Sequence, residues 1–144
     1  MGGGGRTLLT AVLLDTCAIL WLMNGDPMRA EAIEAIESRA RANGVFVCPI
    51  SAWEIATLVR KGRTTLSMAP DSWFDAVLAL PGLRLAPMLP RTLIASVFLP
   101  GEPPTDPADR IIVATARAEN LVLVTRDRKL IAYGDQGHVR ILSC

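Results

Sequence analysis

The sequence predicts an α/β fold built on a buried parallel sheet, and three observations carry that reading. Strand-like apolar runs alternate with helix-like segments from end to end. The composition is 51% hydrophobic but only 5% aromatic, so the core is Leu, Ile, Val and Ala, as suits a sheet covered by helices. Acidic residues stand where the apolar runs give way to helix starts, which is the pattern of a sheet whose strand ends share one edge.

Each element follows from local pattern. Val12 to Leu14 is the first strand, followed by a short apolar helix through Met23 and a turn at Asn24-Gly25-Asp26-Pro27. Arg29 to Asn43 reads as an amphipathic helix with Ala30, Ile33, Ile36 and Ala40 on one face and Gly44 as its C-cap. Val45 to Cys48 is the second strand, and a helix from Ala52 to about Lys61 stops at Gly62. Ser72 to Leu80 reads as a helix ended by Pro81-Gly82, Leu83 to Ala86 as a brief strand, and Arg91 to Leu99 as a helix between prolines. A proline-dense loop from Pro100 to Thr105 leads into the strongest helix, Asp106 to Asn120. Leu121 to Thr125 is the fourth strand, Asp127 opens at most a short turn of helix, and Val139 to Leu142 is an edge strand. Trp53, Trp73 and Phe74 are expected to pack, and His138 to sit in a solvent-exposed loop.

A chain of 144 residues fits one domain. Residues 1–7, with the glycine run Gly2 to Gly5, read as a flexible end; the glycines precede the first strand and so cannot be a phosphate-cradling loop. The mean hydropathy of +0.35 is high for a lone domain and predicts apolar surface covered by another chain. A net charge of +1 excludes a global field toward nucleic acid or membrane, so any polyanion site is local. Three cysteines without short paired spacing point to a reduced, cytoplasmic protein. No signal peptide and no membrane span are read, because Asp15 interrupts the N-terminal apolar stretch.

The chemistry rests on Asp15, Glu54, Asp109 and Asp127. Each also has a capping role: Asp15 as an N-cap, Glu54 in the capping-box pattern Ser51-Ala52-Trp53-Glu54, and Asp109 after the N-cap Asp106 and Pro107. Caps need no particular strand order, whereas acids at the ends of parallel strands fall on one edge by geometry. Carboxylates so crowded must share protons or a cation, and an all-oxygen ligand set suits Mg²⁺ or Mn²⁺. Thr16, Thr125 and Asp106 are placed to orient carboxylates or waters around such a site. His138 is the single histidine, which leaves histidine-based nucleophilic catalysis and zinc without a residue set. Arg60 and Lys61, at a helix C-terminus where the dipole favours them anyway, are candidate RNA contacts, as are Arg110 and Arg126.

These residues carry a resemblance. Leu13-Leu14-Asp15-Thr16-Cys17, Ser51-Ala52-Trp53-Glu54-Ile55, Thr105-Asp106-Pro107-Ala108-Asp109-Arg110 and Leu123-Val124-Thr125-Arg126-Asp127 follow one another as in the PIN-domain ribonucleases, and the chain resembles in particular the VapC toxins. It departs from the family at Ala108, where a large apolar residue is common, and at Thr105, where a histidine is common. The resemblance implies an α/β/α sandwich with a central, mostly parallel sheet and a Mg²⁺- or Mn²⁺-dependent endoribonuclease, the toxin of a type II toxin–antitoxin pair. It makes Asp15, Glu54, Asp109 and Asp127 the catalytic acids, with Asp15, Asp109 and Asp127 on the metal. It also implies a homodimer or a higher assembly, and a VapB-like antitoxin that blocks the site. Two alternatives stay open on the residues alone. A haloacid-dehalogenase-like phosphatase also starts from a strand ending in Asp, but needs an acid where Cys17 stands. A non-catalytic receiver module would hold a metal with the same acids.

Overall fold

The computed structural model describes residues 10–144, so the expected flexible end at 1–7 lies outside the described residues. Among them run five strands and seven helices: β1 (Val12–Leu14), α1 (Thr16–Asn24), α2 (Ala30–Ala40), β2 (Val45–Val47), α3 (Pro49–Arg60), α4 (Pro70–Ala79), β3 (Leu83–Leu85), α5 (Pro90–Val97), α6 (Pro107–Ala118), β4 (Val122–Thr125), α7 (Arg128–Asp135) and β5 (Ile141–Ser143).

The strands form one sheet in the order β3-β2-β1-β4-β5, every neighbouring pair parallel. Side chains of a strand alternate between faces, and here each face meets helices. Val12 and Leu14 join Val45, Val47 and Val124 under Ala18, Ile19, Ile36, Trp73 and Val77 of α1, α2 and α4. Leu13 and Leu123 point the other way, into Ile112 and Val113 of α6 and Leu130 and Tyr133 of α7. The result is the expected three-layer sandwich. Because the chain leaves β1 toward β2 on one side and reaches β4 on the other, the strand order reverses beside β1, and the carboxyl ends of β1 and β4 flank that point. Open α/β sheets bind ligands there.

Several local readings are corrected. Helix α3 begins at Pro49, not Ala52, because Pro at the first helical position loses no hydrogen bond. Ser51 is therefore inside the helix and cannot be its cap. The left-handed residue after α2 is Asn43 (φ 55°), not Gly44. The face of α2 is set by Ala32 and Ile36, with Ile33 39% exposed. Segment 128–135 is a full helix instead of a turn followed by a loop, and it holds Gly134 against β5, where a Cβ would come within 2.4 Å of Ile141 Cγ1. His138 is half-buried and stacks on Tyr133, centroids 5.1 Å apart. Trp73 and Phe74 pack as expected, but Trp53 is 62% exposed.

Exposed large apolar residues gather between Met88 and Phe98, around α5. Ala18 and Ile36 are core residues. Helix α5 instead buries Thr92 and Ser96 while Ile94, Val97 and Phe98 are 62%, 63% and 79% exposed. No described helix is long and apolar enough to cross a membrane.

Candidate active site

Two acids at strand ends, Asp15 and Asp127, and a third after the proline loop, Asp106, are helix caps first, and the caps aim the cleft's carboxylates. Asp15 follows β1 with extended backbone, and its Oδ1 accepts the Ala18 amide at 2.8 Å. Asp127 follows β4 and accepts the amides of Lys129 and Leu130 at 2.8 and 3.3 Å. Asp106 caps α6 by accepting the Asp109 amide at 2.9 Å, and so places Asp109 in the first turn. A capping carboxylate uses part of its acceptor capacity on the helix and presents the rest outward. The capping and the ligand readings are thus compatible in one side chain.

Glu54 is held differently from the capping-box expectation. Thr16 donates its hydroxyl hydrogen to Glu54 Oε1. The buried Ser51 hydroxyl lies 3.0 Å from Thr16 Oγ1 and, with that hydrogen taken, donates to it. The pair Ser51–Thr16 therefore ties α3 to α1 and turns Glu54 toward Asp109. On the other side, the buried Thr125 hydroxyl donates to Asp15 Oδ2 at 2.5 Å and accepts the Asp127 amide at 3.0 Å.

All four acids line one cleft of about 480 Å³, with Asp106, Thr16 and Arg126 beside them. Oxygens of Glu54, Asp106 and Asp109 lie within 4.8 Å of one another, a tighter set than the expected Asp15, Asp109 and Asp127. Asp106 thus stands in the acid cluster itself as well as behind it. The electrostatics match the crowding. Burial, then Asp106, Glu54, Asp127 and Asp15, push Asp109 up to about 7. Burial raises Asp15 against the opposing hydrogen bonds from Thr125 and Ala18. It raises Glu54 against the opposing bond from Thr16, with Asp106 and Asp15 adding to the rise. A hard divalent cation fits this set, since every donor is an oxygen and the negative charges oppose one another until one is bound. Cys17 sits among them as a neutral thiol pushed up to about 11 by burial and then by Asp15, so it does not supply the second acid of the phosphatase alternative.

The basic residues divide. Arg60 and Lys61 are exposed at the end of α3 and do not line the cleft. Arg110, read as an RNA contact, is committed to the fold: Nε, Nη1 and Nη2 donate to the carbonyls of Ser96, Pro104 and Val97, each at 2.9 Å. Arg126 does reach the cleft, stacked 3.6 Å from the ring centroid of Trp21. Trp21 is the residue that sequence reasoning missed. It follows Cys17 by four on α1 and therefore shares its cleft-facing side.

The family model described as PIN domain matches residues 12–136. Ribonuclease VapC22 of Mycobacterium tuberculosis (strain ATCC 25618 / H37Rv) is 36% identical over 124 residues, spanning 85% of this chain and 91% of the relative. Two solved structures share the fold: VapBC2 from Rickettsia felis bound to a DNA fragment from their promoter (TM-score 0.67, 18% identity, 93% of this chain and 98% of that one) and DNA-bound VapBC from Salmonella typhimurium (TM-score 0.65, 19% identity, 94% and 98%). Edge, acids and sequence agree: the chain belongs to the PIN-domain family, on its VapC branch.

Proposed function

We propose that this protein is a metal-dependent endoribonuclease and the toxin of a toxin–antitoxin pair, acting in the cytoplasm. The observation that carries it is the convergence of Asp15, Glu54, Asp109 and Asp127 from four separate parts of the chain into one cleft at the carboxyl edge of the sheet. Asp15, Asp109 and Asp127, with Asp106 at hand, would hold Mg²⁺ or Mn²⁺. An ion bound there would lower the pKa of water and offset negative charge on the scissile phosphate. Glu54, raised by burial and steadied by Thr16, is placed to take the proton of the attacking water. As that water's oxygen bonds to phosphorus, one ribose P–O bond breaks and the leaving oxygen takes up a proton from solvent. Thr125 keeps Asp15 from turning away.

A VapB-like antitoxin is the expected partner, supported by solved relatives that are themselves complexes of VapB with VapC. An inhibitor of a carboxylate cleft needs a cation, and arginine's fork suits paired acids. The inverted burial of α5 supports a homodimer through that helix. The test is cleavage of end-labelled RNA by the purified chain with Mg²⁺, with Mn²⁺ and with EDTA. Cleavage that survives EDTA, or none with either ion, would overturn the metal-dependent reading.

A further inference from the structure

The acidic half of the cleft accounts for the chemistry, but the cleft has a second half. Cys17, Trp21 and Leu58 line it, neutral and largely apolar, where a cluster of acids would otherwise face open water. Two helices build it by the same device: Trp21 follows Cys17 by four on α1, and Leu58 follows Glu54 by four on α3, so each side chain continues the cleft wall one turn further out. A single cation stands at the seam. Arg126, between Thr125 and Asp127, lies 3.6 Å from the Trp21 ring centroid. Its Nη2 donates to the carbonyls of Pro27 and Cys144 at 3.0 and 3.1 Å, which fixes the guanidinium on the indole. The Cys144 thiol also bonds the guanidinium, and among the described residues no oxygen accepts from Nε or Nη1, which face any oxygen acceptor that enters the cleft.

We propose that the Arg126–Trp21 stack is a nucleobase platform, holding by ring stacking the base of a nucleotide next to the scissile bond. This rests on the ribonuclease reading above and names a residue that sets substrate recognition within it. A bare phosphate has nothing to gain from Trp21 and Leu58, whereas a base has two apolar faces and an edge that accepts from a guanidinium. Stacking tolerates any base, and the free Arg126 donors bias it toward bases with an acceptor on the exposed edge. The phosphate itself then falls on the acidic side, where a cation is required. Trp21 is therefore a binding residue that acts on KM, and the acids act on kcat.

The test uses a short single-stranded RNA that the wild type cuts at one bond, made intact or with an abasic ribose on either side of that bond. One abasic position should raise the wild-type KM on the order of tenfold with kcat little changed. Trp21→Leu should raise KM for intact RNA by a similar factor and lose the distinction between intact and abasic RNA, while Trp21→Phe, which keeps a ring, should retain most of it. Wild-type protein that treats both abasic RNAs like intact RNA overturns the platform. A folded Trp21→Leu that still discriminates overturns it too. If Trp21→Leu fails to fold, Arg126→Lys replaces it: the charge stays, the planar stack goes, and retained discrimination refutes the proposal. A wild type that cuts no RNA with either metal overturns the ribonuclease reading instead, and the platform with it.

Discussion

Thr125 and Asp15, 110 residues apart in sequence, meet at 2.5 Å through a buried hydroxyl that also accepts the Asp127 amide at 3.0 Å. One side chain at the end of β4 thus fixes two acids of the cleft, across the place where the strand order reverses. Thr125→Val keeps the shape but removes the donor. It leaves a buried carboxylate oxygen short of a partner, which costs about 1–3 kcal/mol. Metal-dependent cleavage should fall about 10- to 100-fold, as for other groups that orient a metal ligand, and Thr125→Ser should restore most of it. Equal activity in Thr125→Val would show that Asp15 holds its position unaided. Thermal melts together with cleavage rates make the measurement.

The amide variants separate capping from catalysis. Asn caps a helix about as well as Asp, so Asp15→Asn and Asp127→Asn should fold and melt near the wild type; Asp109→Asn and Glu54→Gln remove no cap and should also fold. Each should abolish cleavage, because the amide lacks the charge that a cation or a proton requires. Asp127→Ala should additionally lose about 0.5–2 kcal/mol of stability with its cap. Two amide variants that cut RNA near the wild-type rate would break the assignment of the quartet.

How far the sequence reaches depends on whether a feature is local. The acids were legible because strand ends and helix starts are written in short windows: Leu14 before Asp15, Val124 and Thr125 before Asp127, Asp106-Pro107 before Asp109. Glu54 was found for a reason the structure revises, since its partner is Thr16, 38 residues away, and not the Ser51 backbone. Arg110 and Trp21 were misread or missed because their roles lie in distant partners: three carbonyls around the loop for one, Arg126 for the other. Helix α7 escaped because Gly134 and Gly137 argue for a loop, while Leu130 and Tyr133 buried against the sheet override them.

The raised Asp109 gives the metal-free protein a pH dependence of known sign. Its folded value of about 7 lies above the unfolded 3.8, so the folded state binds the extra proton between those limits. Stability from this group therefore falls as pH rises from about 4 to 7 and stays lost above. Mg²⁺ competes with that proton, so the ion's thermal stabilisation should be larger at pH 8 than at pH 6. At a hundredfold excess over Kd it reaches about 2.7 kcal/mol. Asp109→Asn should weaken both the decline and the growth of the Mg²⁺ effect with pH, leaving only the contributions of the raised Asp15 and Glu54. Melting curves across that range in EDTA and in Mg²⁺ decide it; a wild-type Mg²⁺ shift that is independent of pH would count against it.

Arg110 anchors α6 to the end of α5 and to the proline loop, the two segments that lead into Asp106 and Asp109. Arg110→Lys keeps the charge but cannot reach three carbonyls with one ammonium. The loss should be about 2–3 kcal/mol, and cleavage should weaken through displaced acids even at temperatures where the variant is folded. Unchanged melting in Arg110→Lys would mean that the loop holds itself.

Helix α5 carries the strongest statement about assembly, because it is polar where helices are normally apolar. Thr92 and Ser96, four apart, face inward, the latter bonding its hydroxyl to the Leu93 carbonyl at 2.6 Å. Ile94, Val97 and Phe98, at spacings of three and four, form an outward apolar stripe, with Leu89 46% exposed at the helix's start. Small inward residues let α5 lie close on α6, and the outward stripe is left for a second surface. An outward apolar stripe on one helix can meet its own copy across a two-fold axis. The wild type should elute at twice the monomer mass, and Ile94→Asp with Phe98→Asp should elute as a folded monomer with a similar far-ultraviolet spectrum, since neither side chain contributes to the core. A wild type that is monomeric at tens of micromolar, by size-exclusion with light scattering, would remove α5 as a dimer surface.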